Sequence, residues 1–442
     1  MGTMNAPVAN PLSSRRPWQA LAKAYARVLW TRKPLPPGDL VDIGELERGD
    51  RTLLIDRAAR YGPVFKGLMD GRIVVCVLGH DLGRRLLKER ATSLRPLTVE
   101  LESLFPHGFM RGMEGEVHRD YRRALVQGVQ ALDLGALSPR FEGIASDLLA
   151  GYAADPAQGT SPQLWASALA QIAASSLITL FFGVEPGHPA HARLLAIYHR
   201  LGPHGVVWHI TKRQADAYQQ LCLELASLEG KAGGLLGQLQ GKEQVDATLL
   251  GNLVYMVELG RYDLRGLLRW ISRYAAEHAI WMERILAESA DTHGDPCGPS
   301  AAEAFVLETL RMDQSERLMR DVKRDFVFEG WLVPSGSLVR VCMWEAHKEP
   351  MAFPQPFEFN PGRFLGDAPV GDRFSPFGLD HHHCPLAVPA IQVAIAFVRA
   401  LARGYIVCSR GAEPAVRGPY HWEPSPRFEV ALEPRATVGA RA

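Results

Sequence analysis

Apolar residues recur at helical spacing through most of the chain and alternate with polar ones near its two ends. Between about 80 and 310, Ala- and Leu-rich segments are broken at Pro and Gly clusters, which predicts a nearly all-helical body. β-branched runs flank Asp70-Gly71, a typical hairpin signal. The clearest predicted elements are a helix at 53–61, strands at 62–69 and 72–78, and long helices at 164–184, 246–278 and 387–403.

The pattern changes after residue 320, where short apolar runs alternate around turn residues. These runs predict strands at 326–328, 330–333 and 338–342, followed by a Pro-rich, aromatic loop stretch at 350–390. The fold class is therefore mainly α with a small β region assembled from both ends of the chain. Residues 1–40, rich in Pro, Ser and Arg, predict an irregular N-terminal arm, and 41–442 a single catalytic domain.

Charge and cysteine usage exclude several classes of protein. Lys plus Arg is 49 and Asp plus Glu is 48, so the basic surface that binds nucleic acid is missing. The six cysteines are scattered without a CxxC pair, which argues against a disulfide scaffold or a zinc ribbon. This composition predicts a cytoplasmic protein.

No stretch approaches the roughly 18–20 apolar residues that span a bilayer, so we expect no transmembrane segment. The amphipathic segment Trp18 to Trp30 has two interpretations. It is either a docked terminal helix or a helix that lies on a membrane surface.

Candidate chemistry begins at Cys384, which stands between a glycine-containing loop and an apolar helix. A helix N-terminus lowers the pKa of a thiol and offers N–H groups to the sulfur. His381, His382 and His383 precede it, but three consecutive residues on an extended loop point to alternating sides and do not converge on one metal. A structural cysteine in a polar loop remains the alternative to a metal ligand.

Two further motifs carry charge upstream of this loop. Glu308 and Arg311 are three residues apart on an amphipathic helix, where they can pair. Arg363 lies in the aromatic loop Phe359-Asn-Pro-Gly-Arg-Phe364 and can reach back to that pair. Each motif alone is also compatible with an ordinary surface cation or ion pair.

The order and spacing of these motifs resemble the cytochrome P450 family over essentially the whole chain. The resemblance lies in Glu308-x-x-Arg311, Ala346-His-Lys-Glu-Pro350, the Arg363 loop and the loop from Phe377 to Cys384. The resemblance implies a P450-like fold, haem b and a proximal thiolate from Cys384. It implies a structural ion-pair cluster of Glu308, Arg311 and Arg363, and haem contacts from His118, Arg122, Arg320, Phe377 and His382.

The chain departs from the family at two places. In the cysteine loop, Asp380 and Leu386 stand where the family has glycines, so we expect the loop to sit differently against the porphyrin. In the helix over the haem, Tyr262 and Asp263 occupy the positions of the usual acid and threonine, and Gly260 remains.

These distal residues leave several roles open. Gly260 predicts either a local loosening of the helix where a diatomic fits or a merely tolerated kink. Asp263 can relay protons or assist peroxide cleavage, whereas Arg261 or Arg265 can bind a substrate carboxylate. We expect Asp263 to face the haem, with Tyr262 as an alternative proton source.

The resemblance implies a monooxygenase-type oxidoreductase that acts on a lipophilic small molecule, with specialised metabolism as its setting. Electrons would come from a ferredoxin and ferredoxin reductase, because no reductase domain is present in the sequence. The alternatives are a peroxide-using or non-oxygenating enzyme for dehydration, rearrangement or coupling, and a non-catalytic haem sensor or carrier.

Overall fold

The computed structural model describes residues 17–97, 105, 108–202, 210–228, 233–241, 245–290, 299–313, 317–366, 371–380, 383–411, 414–418 and 422–435. The chain forms two compact units. Unit 1 takes its described residues from Met1–Thr98, Gln314–Glu358 and Val370–His383, and unit 2 from Val99–Asp313, Phe359–Pro369 and Cys384–Ala442. That the two units form one catalytic domain stays a prediction.

Unit 1 is built on a five-stranded sheet with the strand order β1-β2-β7-β4-β3. Its strands are β1 (Val64–Met69), β2 (Arg72–Leu78), β3 (Leu94–Pro96), β4 (Arg317–Val322) and β7 (Leu338–Cys342). A separate hairpin pairs β5 (Phe326–Phe328) with β6 (Trp331–Val333). Its helices are α1 (Pro17–Thr31), α2 (Ile43–Leu46), α3 (Leu53–Tyr61), α4 (His80–Glu89) and α14 (Met343–Ala346).

The sheet confirms the predicted assembly from distant parts of the sequence. Strands β1 and β2 form the hairpin at Asp70-Gly71, where φ is 50° and 70°. Both values are left-handed, the conformation that a two-residue hairpin turn requires and that Asp and Gly tolerate. Strand β2 then pairs in parallel with β7, which comes more than 250 residues later.

The predicted irregular arm is wrong for the part of 1–40 that the structure describes. Residues 17–31 form α1, and Leu21 and Ala24 are buried in the apolar core that also covers the sheet of unit 1. The helix docks because its Leu21, Ala24 and Val28 positions share one face. This agrees with the docked-helix interpretation of the segment.

Unit 2 is mainly helical. Its helices are α5 (Gly115–Gln130), α6 (Leu134–Ala153), α7 (Pro162–Phe182), α8 (Pro189–Leu201), α9 (Lys212–Ala226), α10 (Gly234–Gln240), α11 (Ala247–Glu277), α12 (Ala279–Ala290), α13 (Ala301–Asp313) and α15 (Ala387–Gly404). Two strand pairs complete it: β8 (Tyr405–Arg410) with β11 (Glu429–Pro434), and β9 (Val416–Arg417) with β10 (Trp422–Glu423).

The long helices of unit 2 have clear sequence boundaries. Helix α7 begins at a Ser161 cap followed by Pro162 and ends at Gly183, whose φ of 65° is left-handed. The Asp246 side chain caps α11 by accepting a hydrogen bond from the Leu249 N–H. The predicted helices at 164–184, 246–278 and 387–403 are confirmed as α7, α11 and α15.

Two of the described helices, α7 and α15, are long and apolar enough to cross a membrane, so the expectation that no stretch approaches that length is wrong on this measure. Their most apolar windows are 67% and 61% buried inside the protein. Core helices of soluble proteins pass the same test. The two helices are therefore weak support for a membrane span.

Candidate active site

Cys384 lies three residues before the start of α15 and is half-buried. Burial raises the pKa of its thiol, while a backbone hydrogen bond from Leu386 and the charge of Arg122 act in the opposite direction. The expectation that the helix terminus lowers this pKa is therefore wrong, because desolvation is the larger effect. The thiol thus needs a bound metal to hold it as a thiolate.

The two residues that replace family glycines behave differently. Asp380 in unit 1 has a φ of 45°, the left-handed conformation that glycine adopts freely and Asp tolerates better than most residues. Its carbonyl accepts a hydrogen bond from the His383 N–H at 3.0 Å, and its carboxylate lies 3.5 Å from Arg84. Leu386 has a φ of −99°, which any residue adopts. Asp380 therefore keeps a conformation that glycine adopts more easily, whereas the position of Leu386 does not require a glycine.

Helix α11 passes Gly260 without interruption, so the loosening expected there is not observed. A Cβ built on Gly260 would lie 3.4 Å from a methyl group of Leu177 in α7. This distance is an ordinary van der Waals contact, so the packing of α11 on α7 does not require a glycine at this position. The regular helical backbone at Gly260 therefore gives no support to the prediction that a diatomic molecule fits there.

Arg261 is buried and already has protein partners. Its guanidinium lies 2.7 Å from the Glu258 carboxylate and donates to the Tyr198 carbonyl at 2.8 Å. A guanidinium held in this way neutralises a buried carboxylate within α11. Its role as an anchor for a substrate carboxylate stays a prediction, and Arg261 would have to keep or exchange these partners to fulfil it.

Tyr262 points to a third side of the helix. Its hydroxyl donates to the Glu423 carboxylate of β10 at 2.9 Å. Burial and the charge of Glu423 raise the pKa of Tyr262 well above its usual value. A phenol that is held this way is a poor proton source near neutral pH.

Asp263 has an exposed side chain and lies within electrostatic range of Cys384, whose pKa it raises. Four consecutive residues thus project in four directions, as expected from the 100° turn per residue of an α-helix. Of the four, Asp263 is the residue whose charge acts on the Cys384 thiol. Its predicted role in proton transfer stays a prediction.

Helix α5 presents His118 and Arg122 on one face, four residues apart. Burial and the neighbouring Arg122 lower the pKa of His118. Burial also lowers the pKa of Arg122, and the charge of Cys384 opposes that effect. Helices α5 and α11 and the start of α15 therefore bring Arg122 and Asp263 into the electrostatic neighbourhood of one thiol.

Glu308, Arg311 and Arg363 come together as the sequence predicted. Arg311 donates to both carboxylate oxygens of Glu308, at 2.7 and 2.8 Å, and both side chains are fully buried. Arg363 and the Asn360 N–H donate to the same carboxylate, at 3.1 and 2.8 Å. The cluster thereby joins α13 to the 3₁₀ turn Pro361–Phe364.

We expect Arg311→Ala to lower the free energy of unfolding by about 3–5 kcal/mol, because it leaves a buried carboxylate without its bidentate partner. Denaturant unfolding and haem content after purification measure the effect. The control is Arg123→Ala, which removes a pair of similar i,i+3 spacing at the surface and should cost about 0.2–1 kcal/mol. A stable, fully haem-loaded Arg311→Ala protein would contradict the structural role of the cluster.

The remaining predicted haem contacts belong to unit 1. Arg320 is buried in β4 and donates to the Met319 carbonyl at 2.8 Å. Phe377 is half-buried, with its ring 6.3 Å from that of His383. His382 lies outside the described residues. The haem contacts assigned to these three residues stay predictions.

Sequence reasoning missed two features of α11. The i,i+3 spacing of Glu258 and Arg261 is visible in the sequence and indicates a pair, but its burial against Tyr198 of α8 is not. The contact of Tyr262 with Glu423 spans 161 residues, and no local pattern predicts it.

Comparisons with known proteins agree with this geometry. The family model for cytochrome P450 matches residues 301–387, which include the ion-pair helix and Cys384. Abscisic acid 8'-hydroxylase 1 of Arabidopsis thaliana is 22% identical over 80% of this chain and 82% of its own length. Cytochrome P450 716A75 of Maesa lanceolata is 42% identical over 81 residues.

Solved structures share the fold at low identity. The retinoic acid-bound cyanobacterial CYP120A1 has a TM-score of 0.70 and 19% identity, over 91% of this chain and 100% of the other. A zebrafish cytochrome P450 with progesterone has a TM-score of 0.68, also at 19% identity, over 87% and 99%.

Fold and relatives define a haem-thiolate oxidoreductase. The chain is a member of the cytochrome P450 family, and at family level it is a monooxygenase with a haem iron cofactor. The chemistry of the residues fits that group. Cys384 is a soft sulfur donor, and Arg122 is a partly desolvated cation suited to a haem carboxylate.

Proposed function

We propose that this monooxygenase oxidises a lipophilic small molecule, with Cys384 as the iron ligand and Asp263 as the residue that accepts and donates protons. The observation that carries the proposal is the electrostatic coupling of Cys384 to Asp263 on α11 and to Arg122 on α5. In unit 2, a carboxylate of α11 and a cation of α5 thus lie within electrostatic range of the thiol that precedes α15.

When bound, the haem iron supplies the activation of oxygen. In a monooxygenase reaction one oxygen atom enters a C–H bond and the other leaves as water, which consumes two electrons and two protons. The Asp263 carboxyl can hold a proton and release it on the side of α11 where its charge reaches Cys384. Arg122 and His118 would supply hydrogen-bond donors to the haem carboxylates.

The lipophilic substrate is inferred from an aromatic cluster in unit 2. Phe105 and Phe109 stack with their ring centroids 4.7 Å apart, and both lie edge-on to Tyr255 of α11. Tyr218 of α9 adds a further edge contact with Phe105. Flat apolar molecules suit such surfaces. The names of related proteins mention abscisic acid, retinoic acid and progesterone, which are small molecules with a large hydrocarbon part, and the first two also carry a carboxyl group.

Two oxidant systems are open to this enzyme: oxygen with two electrons from an external donor, or peroxide, which needs no donor. A ferredoxin with its reductase is the donor we propose, which agrees with a cytoplasmic role in specialised metabolism. Peroxide is the second candidate, because a carboxylate replaces the threonine of the family pattern and a carboxylate can assist O–O cleavage.

The proposal is tested with the haem-loaded protein and three probes, abscisic acid, retinoic acid and progesterone. We expect at least one to shift the Soret band and to raise NADH consumption with a surrogate ferredoxin pair, with a hydroxylated product. If hydrogen peroxide alone gave product, the enzyme would instead be assigned to the peroxide-using class. A polar control such as free glycine should have no effect, and three probes without any shift or product would contradict this substrate class.

A further inference from the structure

Polar contacts connect one face of α11 to strand β10. Glu423 accepts a hydrogen bond from the Tyr262 hydroxyl at 2.9 Å and another from Arg269 at 2.6 Å. The second arm of the Arg269 guanidinium donates to the carbonyls of Pro424 and Ser425, at 3.1 and 3.3 Å. We refer to Tyr262, Arg269 and Glu423 as the β10 clamp.

The spacing of the clamp fixes the rotation of the helix. Tyr262 and Arg269 are seven residues apart, which is close to two full turns, so they lie on one face. The neighbouring Trp270 also donates to this strand, through its indole N–H to the Trp422 carbonyl at 3.1 Å. A helix held at both ends of a two-turn stretch cannot rotate without breaking these contacts.

The opposite charges of Arg269 and Glu423 also compensate each other within the clamp. Burial lowers the pKa of the Arg269 guanidinium, and the negative charge of Glu423 opposes that effect. The side chains of Arg269 and Glu423 are only 12% and 16% exposed. Charge-assisted hydrogen bonds between partly buried groups are stronger than surface pairs, so Glu423 holds its two partners in place.

Asp263 follows Tyr262 directly and therefore projects about 100° around the helix from the clamp. We infer that Glu423 is a positioning residue for Asp263: by holding Tyr262 and Arg269 it sets the rotation of α11 at which the Asp263 carboxylate reaches the neighbourhood of Cys384. This inference rests on the proposed function, in which Asp263 accepts and donates protons.

The test uses Glu423→Ala, Asp263→Asn and the double variant, with hydrogen peroxide as oxidant and guaiacol as reporter. A misplaced carboxylate should lower kcat by about 10–100-fold with little change in KM, since small displacements from a productive geometry have effects of this size. If Glu423 acts through Asp263, the double variant should be no slower than Asp263→Asn alone, because effects of residues that act as a unit do not add.

Two readouts exclude a merely structural effect. Imidazole binding, followed by the Soret band, should be unchanged in Glu423→Ala, which shows an intact haem cavity. The pH profile of guaiacol oxidation should lose the same limb in Glu423→Ala as in Asp263→Asn. The matched control is Glu283→Ala, which removes a different carboxylate that holds the C-terminal segment through Arg435. It should change none of these quantities.

The outcomes separate the two proposals. If Asp263→Asn turns over normally, the proposed function of Asp263 fails. If Asp263→Asn is slow but Glu423→Ala is normal, the positioning role alone fails. Losses that add in the double variant, or a weakened imidazole affinity in Glu423→Ala, would overturn the inference by showing that Glu423 acts on the fold and not through Asp263. Tyr262→Phe, which keeps the Arg269–Glu423 pair, should give an intermediate loss of kcat.

Discussion

Replacement of Cys384 by serine is expected to abolish the red-shifted Soret band that reduced, thiolate-ligated haem gives with carbon monoxide, and with it monooxygenase turnover. The reason is electronic, because a thiolate pushes electron density onto iron and favours O–O cleavage, whereas a serine hydroxyl does not. Burial keeps the pKa of this thiol raised, so iron is what holds it as a thiolate.

The control for this prediction is Cys222→Ser on α9, also a half-buried free cysteine with a raised pKa. It should keep both the band and turnover. Haem content is measured in the same samples, so that the intensity of the band in Cys384→Ser is expressed per bound haem. A Cys384→Ser protein that retains haem and the red-shifted band would show that another residue binds the iron.

The elements that the sequence predicts correctly depend on local patterns. The hairpin turn follows from Asp70-Gly71, because only residues that tolerate a left-handed φ fit there. The boundaries of α11 follow from its Asp246 cap and its long apolar period. The ion-pair cluster was predictable from motif spacing, since Glu308 and Arg311 share a helix face and the Arg363 loop has a known family position.

The environment of each residue around Asp263 was not predictable in the same way. Periodicity shows that residues 260–263 point in four directions, but the phase of the helix depends on partners far along the chain. Arg261 meets Tyr198, 63 residues away, and Tyr262 meets Glu423, 161 residues away. The sequence therefore predicts catalytic roles for all four residues, whereas the structure places Gly260 beside Leu177 and gives Arg261 and Tyr262 the partners Glu258 and Glu423.

Because the other three candidates have these surroundings, the proposed proton transfer on α11 depends on one side chain, that of Asp263. Gly260 packs on Leu177, Arg261 neutralises Glu258, and Tyr262 belongs to the β10 clamp. Asp263 remains as the group whose charge reaches Cys384. In the proposed function, this single carboxylate takes the role that an acid and a threonine share in the usual family pattern.

We expect Asp263→Asn to lower turnover by about 10²–10⁴-fold, the range that general acid–base assistance contributes. Asparagine keeps the size and the hydrogen-bonding capacity of the side chain but cannot exchange a proton near neutral pH. The Soret spectrum and probe affinity should therefore stay the same while kcat falls. The control is Glu277→Gln, which removes another carboxylate of α11 from a surface pair with Arg273. It should leave turnover, spectrum and probe affinity unchanged.

A second substitution, Asp263→Thr, distinguishes the two oxidants because it restores the family pattern at this position. If Asp263 serves ferredoxin-driven oxygen chemistry, threonine should recover much of the NADH-dependent turnover that asparagine loses. If the carboxylate assists peroxide cleavage, threonine should remain as slow as asparagine with hydrogen peroxide. Normal turnover of Asp263→Asn with both oxidants would exclude Asp263 as the proton source. Loss of probe affinity in place of kcat would make it a binding residue, since an interaction lost equally from the ground and transition states raises KM and leaves kcat unchanged.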